Sequence, residues 1–110
     1  MKKVSLPTLY HCFESSASCR LRLALSLKKI DHNLVHYNLS KRENINEEYA
    51  KKNPSQTVPT LHINNMYLGE SVAILEYLDE AKIGEGTLFP ESLEDRYYVR
   101  RISEHINSAI

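Results

Sequence analysis

Apolar and polar positions along the chain fall into short blocks, each with the period of one structural element. Val4 to Tyr10 reads as a short strand. Cys12 to Ser18 interrupts it with three serines, and from Cys19 to Ile30 the spacing becomes helical. Leu23, Leu27 and Ile30 recur at i, i+4 and i+7 with Ala24 alongside, and Arg20, Lys28 and Lys29 form polar edges. Ser15, Ser16 and Ser18 are all candidate caps for this helix, because a serine oxygen accepts from an otherwise unpaired first-turn N–H. Leu34 to Tyr37 predicts a second strand. Ser40 to Asn53 is polar, with one helical turn around Glu47 to Lys52 that Pro54 closes. Val58 to Ile63 predicts a third strand beginning at a proline, and Asn64-Asn65 a tight hairpin turn into Met66-Tyr67-Leu68. After Gly69, a helix is expected from Ser71 to Ala81 with Ile74, Tyr77, Leu78 and Ala81 on one stripe. Gly84 to Pro90 holds two of the three glycines and reads as a linker. A last helix runs from Ser92 to the end, with Tyr98, Ile102, Ile106 and Ala109 on one face.

The predicted order is β-α-β-α-β-β-α, then a linker and one more helix. Helical crossovers in the first half imply parallel strands, and the Asn-Asn hairpin implies an antiparallel pair on the other side. A small mixed sheet of this order, with helices on both faces, is an α/β arrangement of the thioredoxin-like kind. The last helix does not fit within it. An amphipathic helix must bury its stripe, so we expect either that the chain is the front portion of a longer protein or that this helix packs against a second copy.

Composition narrows the function classes. The 110 residues suit one small domain, and 42% hydrophobic with 25% charged residues is ordinary globular usage. Fourteen basic and fourteen acidic residues balance, so the basic excess of a general nucleic-acid binder is missing. No apolar run approaches the roughly 18 residues of a membrane span, and Met1-Lys2-Lys3 is followed by no apolar stretch of signal-peptide kind. Two cysteines are too few for a disulfide scaffold, and a reducing, cytoplasmic location is expected.

Three groups of residues are candidates for chemistry. The first is Val58-Pro59. A cis bond there would turn the Val58 N–H and C=O outward to pair with an extended peptide, whereas an ordinary trans proline would simply open a strand. The second is Gly69-Glu70-Ser71 before a helix, where free N–H groups and the helix dipole favour a carboxylate; the alternative is that Ser71 caps its own helix. The third is Ser15-Ser16-Ala17-Ser18-Cys19-Arg20, at a helix N-terminus where a bound thiolate could be stabilised. Cys19 is either a reactive thiol or a small buried hydrophobe, and Cys12 reads as packing. Histidines 11, 32, 36, 62 and 105 have no metal-ligand spacing, so no metal site is expected. Tyr10, at the end of the first strand, is a weaker thiol-activating candidate than the serine loop. No phosphate loop and no Ser/His/Asp arrangement is legible.

These groups together resemble the N-terminal domain of cytosolic glutathione transferases, and within them the zeta class, also known as maleylacetoacetate isomerase. Ser15-Ser16-Ala17-Ser18-Cys19-Arg20-Leu21-Arg22-Leu23-Ala24-Leu25 resembles the class signature S-S-C-S-x-R-V-R-I-A-L. Asn53-Pro54 followed by Val58-Pro59-Thr60-Leu61 resembles N-P-x-x-x-V-P-T-L with its cis-proline. Glu70-Ser71-Val72-Ala73-Ile74-Leu75-Glu76-Tyr77-Leu78 resembles the helix that binds the γ-glutamyl end of glutathione, and Val99-Arg100-Arg101-Ile102-Ser103 the start of the first C-terminal helix.

The resemblance implies a thioredoxin-like glutathione-binding domain over residues 1–83, a linker over 84–91, and over 92–110 the start of an all-α C-terminal domain whose remainder is missing. It implies glutathione as cofactor, with Ser15 and Ser16 approaching its sulfur, Val58 pairing with the cysteinyl part, and Glu70 and Ser71 holding the γ-glutamyl amine and carboxylate. The implied reaction is cis–trans isomerisation of maleylacetoacetate to fumarylacetoacetate, in tyrosine and phenylalanine breakdown. The implied partners are a small dicarboxylic or electrophilic substrate and a second copy in a homodimer, with no nucleic acid and no membrane. Ala17 stands where the class signature has cysteine, so thiolate stabilisation falls to the serines and the backbone. The alternatives are a glutathione transferase of another class conjugating small electrophiles, a non-catalytic binding protein on the same scaffold, and, least favoured because Ser16 replaces the attacking cysteine, a thiol–disulfide oxidoreductase.

Overall fold

The computed structural model describes residues 5–108. Eight elements follow one another: β1 (Thr8–His11), α1 (Ser16–Leu27), β2 (Asn33–His36), α2 (Glu47–Lys52), β3 (Thr60–Ile63), β4 (Met66–Gly69), α3 (Ser71–Glu80) and α4 (Leu93–Ser108). The four strands form one sheet in the order β2-β1-β3-β4. β1 and β2 are parallel, with Leu9 opposite Leu34, and β3 runs antiparallel to both neighbours, with Leu61 opposite Leu9 and Leu68. The fold is thioredoxin-like.

Several boundaries move from the sequence expectation, each for a local reason. β1 starts at Thr8 because Pro7 has no N–H to give; its carbonyl instead accepts from Asn33 at 2.8 Å. Val4 lies outside the described residues. α1 starts at Ser16 rather than Cys19, because Ser15 is the cap, with extended backbone and its Oγ accepting the Ser18 N–H at 3.1 Å. It stops at Leu27 rather than Ile30, where Lys29 turns left-handed at φ 53°. β3 begins at Thr60, after the proline rather than at Val58. Asn64 and Asn65 both take positive φ, 51° and 62°, which is the backbone of a tight hairpin turn and a conformation asparagine tolerates.

On one face of the sheet, Leu9, Leu61 and Ile63 pack with Leu21 and Leu25 of α1 and with Ile74 and Leu78 of α3, and Ile30 and Ile83 close the ends of the core. The buried positions of α1 are therefore Ser18, Leu21, Ala24 and Leu25. This corrects the stripe expected from Leu23 and Leu27, which are 59% and 73% exposed. Lys28 hid the true face: it occupies the next buried position of that stripe, and its charge is matched by Asp79. On the opposite face Tyr10, Tyr37 and Tyr49 form an aromatic cluster that carries α2. The expected stripe of α4 is solvent-facing at Tyr98, Ile102 and Ile106, and Ala109 lies outside the described residues.

Candidate functional site

The loop from Asn53 to Pro59 is built around two buried polar side chains. Asn53 Oδ1 accepts from the Ser55 N–H and hydroxyl, and its Nδ2 donates to the Thr57 carbonyl at 3.2 Å and to Thr60 Oγ1 at 2.9 Å. The Tyr49 hydroxyl donates to the Thr57 carbonyl at 2.6 Å, which leaves the Thr60 hydroxyl to donate back to Tyr49 at 2.6 Å. Burial pushes the Tyr49 hydroxyl above the ordinary tyrosine pKa. These bonds fix the segment that ends in Val58, whose bond to Pro59 is cis. Among the described residues the Val58 N–H and C=O have no hydrogen-bond partner. In the sequence Asn53 marked the end of the polar stretch that Pro54 closes and opened the N-P-x-x-x-V-P-T-L resemblance; its bonds to Thr57 and Thr60 carried no pattern of their own.

Across from this loop stands the start of α3. Glu70, not Ser71, is the cap residue, with a left-handed φ of 67° and no side-chain capping bond. The reading in which Ser71 caps its own helix is thereby corrected. Ser71 is buried, and its Oγ accepts from Arg20 Nη1 at 3.0 Å. With that lone pair engaged, the Ser71 O–H is left to donate outward. The first intrahelical bond of α3 runs from the Ile74 N–H to the Glu70 carbonyl, so the N–H groups of Ser71, Val72 and Ala73 have no helical acceptor. Among the described residues Arg20 makes no ion pair.

Val58, Glu70 and Ser71 line one cleft of about 500 Å³, together with Ala17 and Arg20 of α1 and Glu104 and Asn107 of α4. Three of the five residues singled out from sequence thus meet in one place. Ser15 and Ser16 do not line it; they sit immediately before Ala17, Ser15 half-buried and Ser16 exposed. Ser15 Oγ already accepts the Ser18 N–H, so its proton is what remains to be offered. Arg20 was read as a polar edge of its helix and as the end of the serine group, with no role of its own, and its reach to Ser71, 51 residues on, had no sequence signal. An apolar cavity of about 330 Å³ adjoins the cleft and shares Arg20, Val72 and Asn107 with it; Leu23 and Leu27 turn toward this cavity rather than the core.

The other candidates lie elsewhere. Tyr10 stacks on Tyr37 beneath α2. Cys12 is buried and Cys19 half-buried, both free. Among the described residues no three His, Cys, Asp or Glu side chains are placed to hold a metal ion, and no helix is long and apolar enough to cross a membrane.

The cleft combines the carboxylates of Glu70 and Glu104, the Arg20 guanidinium, the Ser71 hydroxyl over free helix N–H groups, and the unpaired Val58 backbone amide. That donor and acceptor set, on a thioredoxin-like sheet, can engage both signs of charge and the backbone of a bound molecule. Residues 7–80 match the family described as glutathione S-transferase, N-terminal domain, and the chain belongs to that family. Within it the chain is similar to maleylacetoacetate isomerase of Rattus norvegicus, at 43% identity over 94% of this chain and 49% of that protein. A bacterial maleyl pyruvate isomerase, a zeta-class glutathione S-transferase, superposes with a TM-score of 0.79 at 34% identity, over 86% of this chain and 44% of that one. A glutathione transferase homologue from Drosophila mojavensis, solved with bound glutathione, superposes with a TM-score of 0.81 at 31% identity, over 90% and 45%. The chain spans about half the length of the curated relatives it matches.

Proposed function

We propose that this chain is the glutathione-binding part of a zeta-class glutathione transferase, and that the whole protein isomerises maleylacetoacetate to fumarylacetoacetate. The observation that carries the reading is the convergence of Val58, Glu70, Ser71 and Arg20 on one cleft. The residues fit glutathione group by group. Ser71 O–H and the free N–H groups of α3 take the γ-glutamyl carboxylate, with the Arg20 charge beside it. Glu70 takes the ammonium, and the Val58 N–H and C=O pair with the cysteinyl amide. Ser15 then offers its proton toward the sulfur, stabilising a thiolate, with Ser16 behind it at the helix N-terminus. Bound glutathione supplies the thiol nucleophile that adds to the activated cis double bond of the substrate and leaves after bond rotation.

On this reading residues 1–83 are the glutathione domain, 84–91 a linker and 92–110 the beginning of an all-α domain. The protein works in the cytoplasm, in tyrosine and phenylalanine breakdown, and also conjugates small α-haloacids. It is a homodimer, supported by the exposed apolar residues Tyr98 and Ile102 on α4. Ala17 on the cleft wall, where the class signature has cysteine, favours a second reading: a binding protein on the same scaffold with no turnover.

The test is calorimetric titration with glutathione of wild type, Ser71→Ala and Arg20→Met. Loss of one hydrogen bond to a charged group is about 1.5–3 kcal/mol, so each variant should bind at least about tenfold more weakly. Saturable binding unaffected by both substitutions would overturn the site. Binding with an unshifted thiol pKa would select the second reading.

A further inference from the structure

Outside the cleft lies a side-chain cluster that the proposed function does not use. His11, the last residue of β1, is 1% exposed. Arg22 Nη1 of α1 donates to His11 Nδ1 at 3.0 Å and to the Cys12 carbonyl at 3.2 Å, and Nη2 donates to the Phe13 carbonyl at 3.1 Å. The guanidinium also lies over the Phe13 ring at 5.3 Å. One arginine therefore grips three consecutive residues at the start of the loop that carries Ser15 and Ser16. The Cys12 carbonyl it holds accepts the Ser15 N–H as well, at 3.1 Å. We propose that Arg22 is the positioning residue for the Ser15 loop, and that His11, which completes its grip, makes that grip depend on pH. The role of Ser15 rests on the function proposed above; the grip itself does not.

The chemistry follows from which atom holds the proton. Arg22 has only donors, so His11 Nδ1 must be the acceptor and the neutral ring carries its proton on Nε2. Among the described residues Nε2 has no hydrogen-bond partner. A second proton has to go on Nδ1, where it would face the Arg22 N–H at 3.0 Å. The bond is then lost and two cations meet in a buried place. The groups facing His11 are Arg22 from α1, His36 from β2 and His32 from the turn before β2, and each of them, after burial itself, pushes the ring toward its neutral form. Phe13 packs edge-on to His11 and stacks on His36 at 5.1 Å, closing the cluster from the loop side. Protonation therefore expels the guanidinium, the Cys12 and Phe13 carbonyls lose a donor, and the turn that sets the Ser15 cap is released. Asparagine at position 11 separates this from a merely structural role: its side-chain oxygen supplies an acceptor to Arg22 and cannot titrate.

The experiment is an acid titration of the 110-residue chain, followed by ring and amide NMR, on wild type, His11→Asn and Arg22→Lys. In wild type the Ser15 and Ser16 amide resonances should shift with the same midpoint as the His11 ring, below the ordinary histidine value, while the core amides stay in place. In His11→Asn that transition should vanish with the loop in its neutral-pH position, and in Arg22→Lys the loop should be displaced at every pH. Glutathione affinity, where it is measurable, should fall about tenfold more across the transition in wild type than in His11→Asn, one hydrogen bond to a charged sulfur. Loop amides that ignore the His11 titration, or acid unfolding of the whole chain with no earlier loop transition, would overturn the proposal. Absence of glutathione binding at all pH values would instead count against the proposed function, with the amide titration still deciding the grip.

Discussion

The junction of α1, α3 and the segment after α3 hangs on one buried ion pair, and its two halves should not be equally expensive to remove. Lys28 Nζ lies 3.3 Å from Asp79 Oδ1, with the two side chains 2% and 6% exposed. Lys28 also donates to the Gly86 carbonyl at 2.7 Å. Asp79 does more: it accepts the Leu88 N–H at 2.8 Å and the Phe89 N–H at 2.7 Å. Asp79→Ala therefore strands an ammonium and two backbone donors, and breaking a buried pair from one side costs about 3–5 kcal/mol. Lys28→Met keeps the stem volume and leaves the carboxylate with both backbone donors, so it should cost about 1–3 kcal/mol, near the desolvation of one unpaired group. Lys28→Met combined with Asp79→Ala removes the orphaned cation, so its cost should fall short of the sum by more than about 1 kcal/mol. Urea unfolding at equilibrium reads all three, provided the slopes agree. A domain with only about 5–15 kcal/mol of stability would show the Asp79 effect plainly. Equal costs for the two single variants, or strict additivity in the double, would refute this account of the junction.

Other expectations follow from neighbouring features. Gly84 sits at φ +75°, and a Cβ there would lie 2.5 Å from the Lys28 carbonyl oxygen, so Gly84→Ala should lose about 1–3 kcal/mol in the same assay. Tyr49→Phe leaves the Thr57 carbonyl and the Thr60 hydroxyl short of a partner; about 1–3 kcal/mol of stability should go, and glutathione affinity with it, because the same bonds hold Val58. Burial raises the hydroxyl pKa of both Tyr37 and Tyr49 above the ordinary 10.0, with the neighbouring Tyr10 adding to the rise at Tyr37. A folded-state pKa above the unfolded one means that the stability is fully present below about pH 10 and is lost as the pH rises through the folded values. Thermal unfolding should therefore move to lower temperature above that pH, in step with tyrosinate absorbance, and less steeply in Tyr49→Phe; a flat alkaline limb would contradict it.

The order of elements was legible because each signal was local. Asn64-Asn65 announced its turn through the one property that turn needs, tolerance of positive φ, and the strand before it could be placed from the proline that opens it. The buried face of α1 was not legible, for a reason that is itself physical. Leu21, Ala24, Leu25 and Lys28 share a spacing as good as that of Leu23, Leu27 and Ile30, and a lysine normally argues against a core face. Asp79, 51 residues away, and the Gly86 carbonyl, 58 residues away, make Lys28 acceptable inside.

The same division runs through the site. Val58, Glu70 and Ser71 were found because each sits at a punctuation mark of the chain: a proline before a strand, or the residues opening a helix after a glycine. Such places expose backbone groups by construction, and a ligand that uses backbone groups must go there. The tasks of Arg20, Asn53 and Arg22 were not legible, although all three stand in the stretches that carry the resemblance, since side-chain bonds to Ser71, to Thr57 and to the Cys12 and Phe13 carbonyls leave no period or spacing in the sequence. The three residues have a common task. Arg20 occupies an acceptor site of the Ser71 hydroxyl, Asn53 holds the loop that ends in Val58, and Arg22 grips the loop that leads to Ser15. Most residues that would touch glutathione are thus legible from sequence, Arg20 beside the γ-glutamyl carboxylate being the exception, while those that aim them are not. A substitution at Arg20, Asn53 or Arg22 should accordingly weaken binding while leaving every residue of the recognisable motifs that would touch glutathione in place.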